Sequence, residues 1–101
     1  MRILLNVIFP HETFNAAVKD GSADQKMKRI LDALKPEAVY FTAQDGRRSA
    51  LLILDLPDAS KIPSLAEPFF LTFEADVDLQ VVMSPEDLAK AGLEELGKKW
   101  G

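Results

Sequence analysis

The stretch Ala38-Val-Tyr-Phe-Thr-Ala-Gln-Asp-Gly-Arg-Arg-Ser-Ala-Leu-Leu-Ile-Leu-Asp-Leu56 holds the densest run of β-branched, aromatic and aliphatic residues in the chain. Asp45-Gly46 divides it into two apolar arms. An Asp-Gly in that place reads as a hairpin turn, because glycine takes a positive φ without steric penalty. The second arm, Ser49 to Leu56, is apolar on both parities for most of its length. It is expected to be a central strand, with neighbours on both sides and cover on both faces.

Working towards the N-terminus, Lys35-Pro36 ends a helix whose Met27, Ile30, Leu31 and Leu34 fall at i, i+3, i+4 and i+7. Ser22 with Gln25 reads as the capping box that starts it. An earlier helical piece carries Phe14, Ala17 and Val18 and ends at Gly21. Before Pro10 lies a first strand, with Ile3, Leu5, Val7 and Phe9 on one face and Arg2, Leu4, Asn6 and Ile8 on the other.

Towards the C-terminus, Pro57 to Pro63 reads as a loop or single turn. Ser64-Leu-Ala-Glu67 reads as a second capping box, opening a short helix to about Thr72 with Pro68 near its first turn. A last strand spans Asp76 to Met83, with Val77, Leu79, Val81 and Met83 alternating against Asp76, Asp78, Gln80 and Val82. Ser84-Pro-Glu-Asp87 is the strongest helix start in the chain, and Leu88, Leu93, Leu96 and Trp100 form the stripe of a final helix.

The order β-α-β-β-α-β plus a C-terminal helix defines an α+β, ferredoxin-like fold. Its expected form is a four-stranded antiparallel sheet in order 4-1-3-2 with helices on one side. The chain has 101 residues and is 48% hydrophobic, which suits a single domain over residues 1–101. It contains no cysteine, so disulfides and thiolate metal sites are excluded, as suits a reducing, cytoplasmic setting. A net charge of −4 argues against nucleic acid and anionic membranes as partners. No apolar run approaches the length of a membrane span, and Asn6 interrupts the only segment resembling a leader.

Parity divides the sheet into two faces. The helix side takes Ile3, Leu5, Val7, Phe9, Val39, Phe41, Ala50, Leu52, Leu54, Val77, Leu79 and Val81, all apolar. The opposite face mixes Leu4, Ile8, Leu51, Ile53 and Val82 with Arg2, Asn6, Tyr40, Thr42, Ser49, Asp55, Asp78 and Gln80. Such a face is too apolar for water and too polar for an ordinary core. Cover by a second sheet is expected.

This frame, the mixed open face and the turns Tyr40-Phe-Thr-Ala-Gln-Asp-Gly46, Ala66-Glu-Pro-Phe-Phe70 and Met83-Ser-Pro-Glu-Asp-Leu88 resemble a small bacterial branch of the dimeric α/β-barrel superfamily. The resemblance implies a homodimer whose two sheets pack into a barrel, with a cavity in those relatives that bind small molecules. Relatives in the wider superfamily include cofactor-independent monooxygenases, muconolactone isomerases and haem enzymes. None of their catalytic positions aligns to a motif in this chain, so fold and assembly are implied, not chemistry.

Few side chains carry chemistry. His11 is the only imidazole, so any histidine acid–base step must use it. With the first and third strands taken as parallel, His11 is expected at one sheet edge with Asp55, Asp76 and Asp78, where one histidine and several carboxylates could hold a divalent metal or form a proton relay, or simply be solvated acids beside a loop histidine. Arg2, Arg47 and Arg48 are expected together near the other edge, free to hold an anion or solvated. Asn6, Tyr40, Thr42, Ser49 and Gln80, with Leu51 and Ile53, would line either a pocket for a small amphipathic ligand or a dimer interface. Glu67 is either a capping residue or a desolvated acid, and Trp100 either docks the final helix or reaches a second subunit. No metal site and no cofactor are expected. Two functions fit: a non-enzymatic homodimeric module for ligand binding or interaction, or a cofactor-independent monooxygenase or isomerase acting on an aromatic, quinone-like or lactone substrate. A ligand-sized void lined by Asn6, Tyr40 or His11 would favour the enzyme.

Overall fold

The hairpin forms as its sequence demands. In a computed structural model of residues Met1–Gly101, strands β2 (Ala38–Gln44) and β3 (Arg47–Asp55) pair antiparallel from Ala38↔Ile53 to Gln44↔Arg47. Asp45 (φ 52°) and Gly46 (φ 77°) both sit in the left-handed region, the two-residue turn whose twist matches that of the strands. Strand β1 (Arg2–Ile8) lies on the other side of β3, and β4 (Asp76–Val81) lies beyond β1. From edge to edge the order is β2-β3-β1-β4, which counted from the β4 edge is β4-β1-β3-β2.

Every strand pair is antiparallel, including β1 with β3, where Arg2 faces Asp55 and Ile8 faces Ser49. The expected parallel pairing of these two strands is therefore corrected. Helices α1 (His11–Asp20) and α2 (Ala23–Leu34) carry the chain back so that β2 runs in the direction of β1, and the hairpin then reverses it.

One sheet face makes the core. Ile3, Leu5 and Val7 of β1 and Ala50, Leu52 and Leu54 of β3 are buried, closed over by Ile30 of α2 and by Leu65, Phe69 and Phe73 of α3 (Ile62–Phe73). Phe9, Phe14 and Phe73 meet at ring-centroid distances of 5.0–5.3 Å at one end, and Arg48 lies 4.9 Å over Phe14. The expected helix face holds in its centre but opens at the edge strands, where Phe41 of β2 and Val81 of β4 are exposed.

Of the three serine-led helix starts, one forms a capping box. Ser84 accepts from the Asp87 N–H at 3.1 Å, and its own N–H donates to Asp87 at 3.0 Å, opening α4 (Pro85–Ala89). Ser22 instead finishes the turn after α1. Its N–H donates to the Ala17 carbonyl and to Asp20 Oδ1, its backbone is already helical (φ −95°, ψ −6°), and its hydroxyl makes no bond. Ser64 lies inside α3, because Asp58 caps a 3-10 turn at Ala59–Lys61 that runs directly into the helix. Pro68 is accordingly mid-helix, not in the first turn.

The C-terminal segment departs most from expectation. The single final helix is two, α4 and α5 (Leu93–Trp100), broken at Gly92, whose φ of 72° leaves the helical region. Every residue from Pro85 to Gly101 is exposed, and Trp100, expected to dock this segment, is 78% exposed. The molecule measures 59 × 28 × 19 Å with a radius of gyration of 17.0 Å. A compact chain of this length would have about 13 Å.

Candidate functional site

The face of the sheet away from the helices is a grid fixed by register. One row runs Ala38, Ile53, Leu4, Gln80 across the four strands; the next runs Tyr40, Leu51, Asn6, Asp78; the third runs Thr42, Ser49, Ile8, Asp76. The sequence-derived set Asn6, Tyr40, Thr42, Ser49, Leu51, Ile53 and Gln80 thus lies on one continuous surface. Leu4, Ile8, Leu51 and Ile53 form its half-buried apolar centre, and no helix of the chain covers it. Tyr40, Thr42, Asp76, Asp78 and Gln80 form exposed margins.

A polar cluster is built into that centre. The Gln44 amide donates to Asn6 Oδ1 at 2.8 Å and to Ser49 Oγ at 3.1 Å, while Asn6 Nδ2 donates back to Gln44 Oε1 at 3.1 Å. Ser49 Oγ donates to the Thr42 carbonyl at 3.2 Å. Ser49 is only 1% exposed, although it lies on the uncovered face, because Gln44 folds over it. Sequence reasoning missed Gln44. Its parity, the same as that of Tyr40 and Thr42, was the available signal.

Antiparallel β1 and β3 break up the other expected constellations. Asp55 sits opposite Arg2 and bonds the N-terminal ammonium at 3.1 Å, at the end of the sheet remote from His11. His11 is exposed at the start of α1; only Asp76, opposite Ile8, belongs to that end. No three or more acidic or histidine side chains come together to hold a metal ion. The arginines separate likewise. Arg2 bonds Glu37 at 2.9–3.0 Å, whereas Arg48 donates to Asn15 at 2.7 Å at the opposite end. Glu67 is exposed and caps nothing.

Four concavities mark the surface, and none is lined by Asn6, Tyr40 or His11. One of about 550 Å³ lies between α2 and α3, beside Ile30, Pro68 and Leu71. Another, of about 580 Å³, lies in the bend between α4 and α5. No helix is long and apolar enough to cross a membrane. No protein-family model matches the chain, and no curated protein matches it either.

Proposed function

We propose that the chain is a non-enzymatic interaction module that works as a homodimer, its two open sheet faces packed together as in a dimeric α/β barrel. The observation that carries this reading is the half-buried patch of Leu4, Ile8, Leu51 and Ile53, left uncovered around a mutually hydrogen-bonded Asn6–Gln44–Ser49 cluster. Apolar area of this kind is stabilised by leaving water, and the Asn6, Gln44 and Ser49 side chains at its centre already have partners, so covering that centre incurs little desolvation penalty. A stable pair would bury about 1,200 Å² or more in total. A small amphipathic ligand would be held between the two faces, among Tyr40, Thr42 and Gln80.

Light scattering over a range of concentrations tests the assembly. The expected mass is twice the chain's 11.2 kDa. A mass of one chain at every concentration would refute the proposal.

A further inference from the structure

The terminal segment presents an apolar stripe with nothing on it. Leu93, Leu96 and Trp100 recur at i, i+3 and i+7 along α5, and together with Leu88 they are 44–78% exposed. Leu88 and Leu93 both line the concavity between the two short helices. An eight-residue helix is marginal in water without packing against something, so this one needs a surface.

The chain's own body is not placed to supply it. Ser84, held extended at ψ 167° and locked by its reciprocal bonds with Asp87, with Pro85 beginning the helix, sends the segment outward. The result is the 59 Å long axis. A membrane surface is a poor occupant too, because Glu86, Asp87, Glu94 and Glu95 outnumber Lys90, Lys98 and Lys99.

The exposed area matches what a second copy of the chain would cover. The chain exposes 7072 Å², whereas a folded monomer of 11.2 kDa exposes about 5,700 Å², an excess of about 1,400 Å². A standard interface takes about 800 Å² from each partner, so the excess is enough for one. We propose that Ser84–Trp100 is an exchange arm whose Leu88, Leu93, Leu96 and Trp100 side chains are covered by the body of a second copy of this chain. This rests on the homodimer reading above and adds a second set of contacts to it, reciprocal in a two-fold pair.

Trp100 is the only tryptophan, so its emission reports on the arm directly. In wild type the emission should be blue-shifted when the protein is dimeric, and should move to the water-exposed wavelength on dilution, in step with the loss of dimer mass. Leu96→Glu should weaken the dimer by about 100-fold and expose Trp100, and Trp100→Ala should weaken it by about 30-fold. Water-exposed emission from an intact dimer would overturn the arm, as would blue emission that persists in a monomer. Leu51→Lys separates the two claims. If it dissociates the dimer while Leu96→Glu does not, the sheet-face reading stands and the arm fails. If Leu96→Glu dissociates it and Leu51→Lys does not, the arm stands and the sheet-face reading fails.

Discussion

Gln44 illustrates how one side chain at the end of a strand can change what a face offers. By spanning Ser49 and Asn6 it converts two open-face polar groups into parts of a closed network. Gln44→Ala should lower stability by about 1 kcal/mol in urea titration, the usual net value of such bonds, since water can replace them in the free chain. Loss of several kcal/mol would mean that the cluster is already dry. The serines make a sharper contrast. Ser84→Ala should fray α4, seen as faster amide exchange, while Ser22→Ala should leave stability unchanged or raised, because that hydroxyl is buried without a partner. Asp87 adds a pH dependence. The Ser84 backbone N–H, followed by the Ser84 hydroxyl, holds its carboxyl below the ordinary 3.8. The carboxylate half of the cap is thus at full strength above that ordinary value and weakens as pH falls through the lower folded one, so amide exchange in α4 should speed up on acidification.

β3 is the element on which the face assignment turns. Leu52 is buried against the helices, whereas Leu51 looks out of the open face beside Tyr40 and Asn6. Leu52→Lys should leave the chain unfolded by circular dichroism, since an unpaired charge in the core exceeds the whole stability of a small domain. Leu51→Lys should keep the fold and lose only the assembly. Identical behaviour of the two variants would refute the faces. The same periodicity explains what was legible in the sequence. Alternation separates Leu51 from Leu52 and Asn6 from Leu5 without any structure, and Asp45-Gly46 announces its own turn. Alternation is blind to strand direction, however. It therefore groups His11 with Asp55, whereas antiparallel β1 and β3 place the two at opposite ends. α2 does begin directly after Ser22, but the capping boxes expected at Ser22 and Ser64 do not close, for a related reason. A capping box is a pattern of side chains, but whether it closes depends on the preceding turn, which in both cases had already set the backbone helical.

At the scale of the whole molecule, the sequence could show that Leu88, Leu93, Leu96 and Trp100 share a stripe but not what the stripe packs on. Amphipathic periodicity specifies that a partner exists and is silent on which one. All fourteen residues of the core lie between Ile3 and Ala75, so the body owes none of its packing to the arm. Ending the chain after Met83 should accordingly leave the melting temperature of the monomer within a few degrees, whereas an arm worth 1 kcal/mol to the body would shift it by about 4–8 °C. The shape should change far more. In dilute solution, small-angle scattering of the Leu96→Glu chain should give a radius of gyration near 17.0 Å, and the shortened chain should fall to about 12 Å, the value for a compact body of that length. A full-length monomer already near 13 Å would mean that the arm folds back over its own sheet, and the terminal stripe would then be core, not interface.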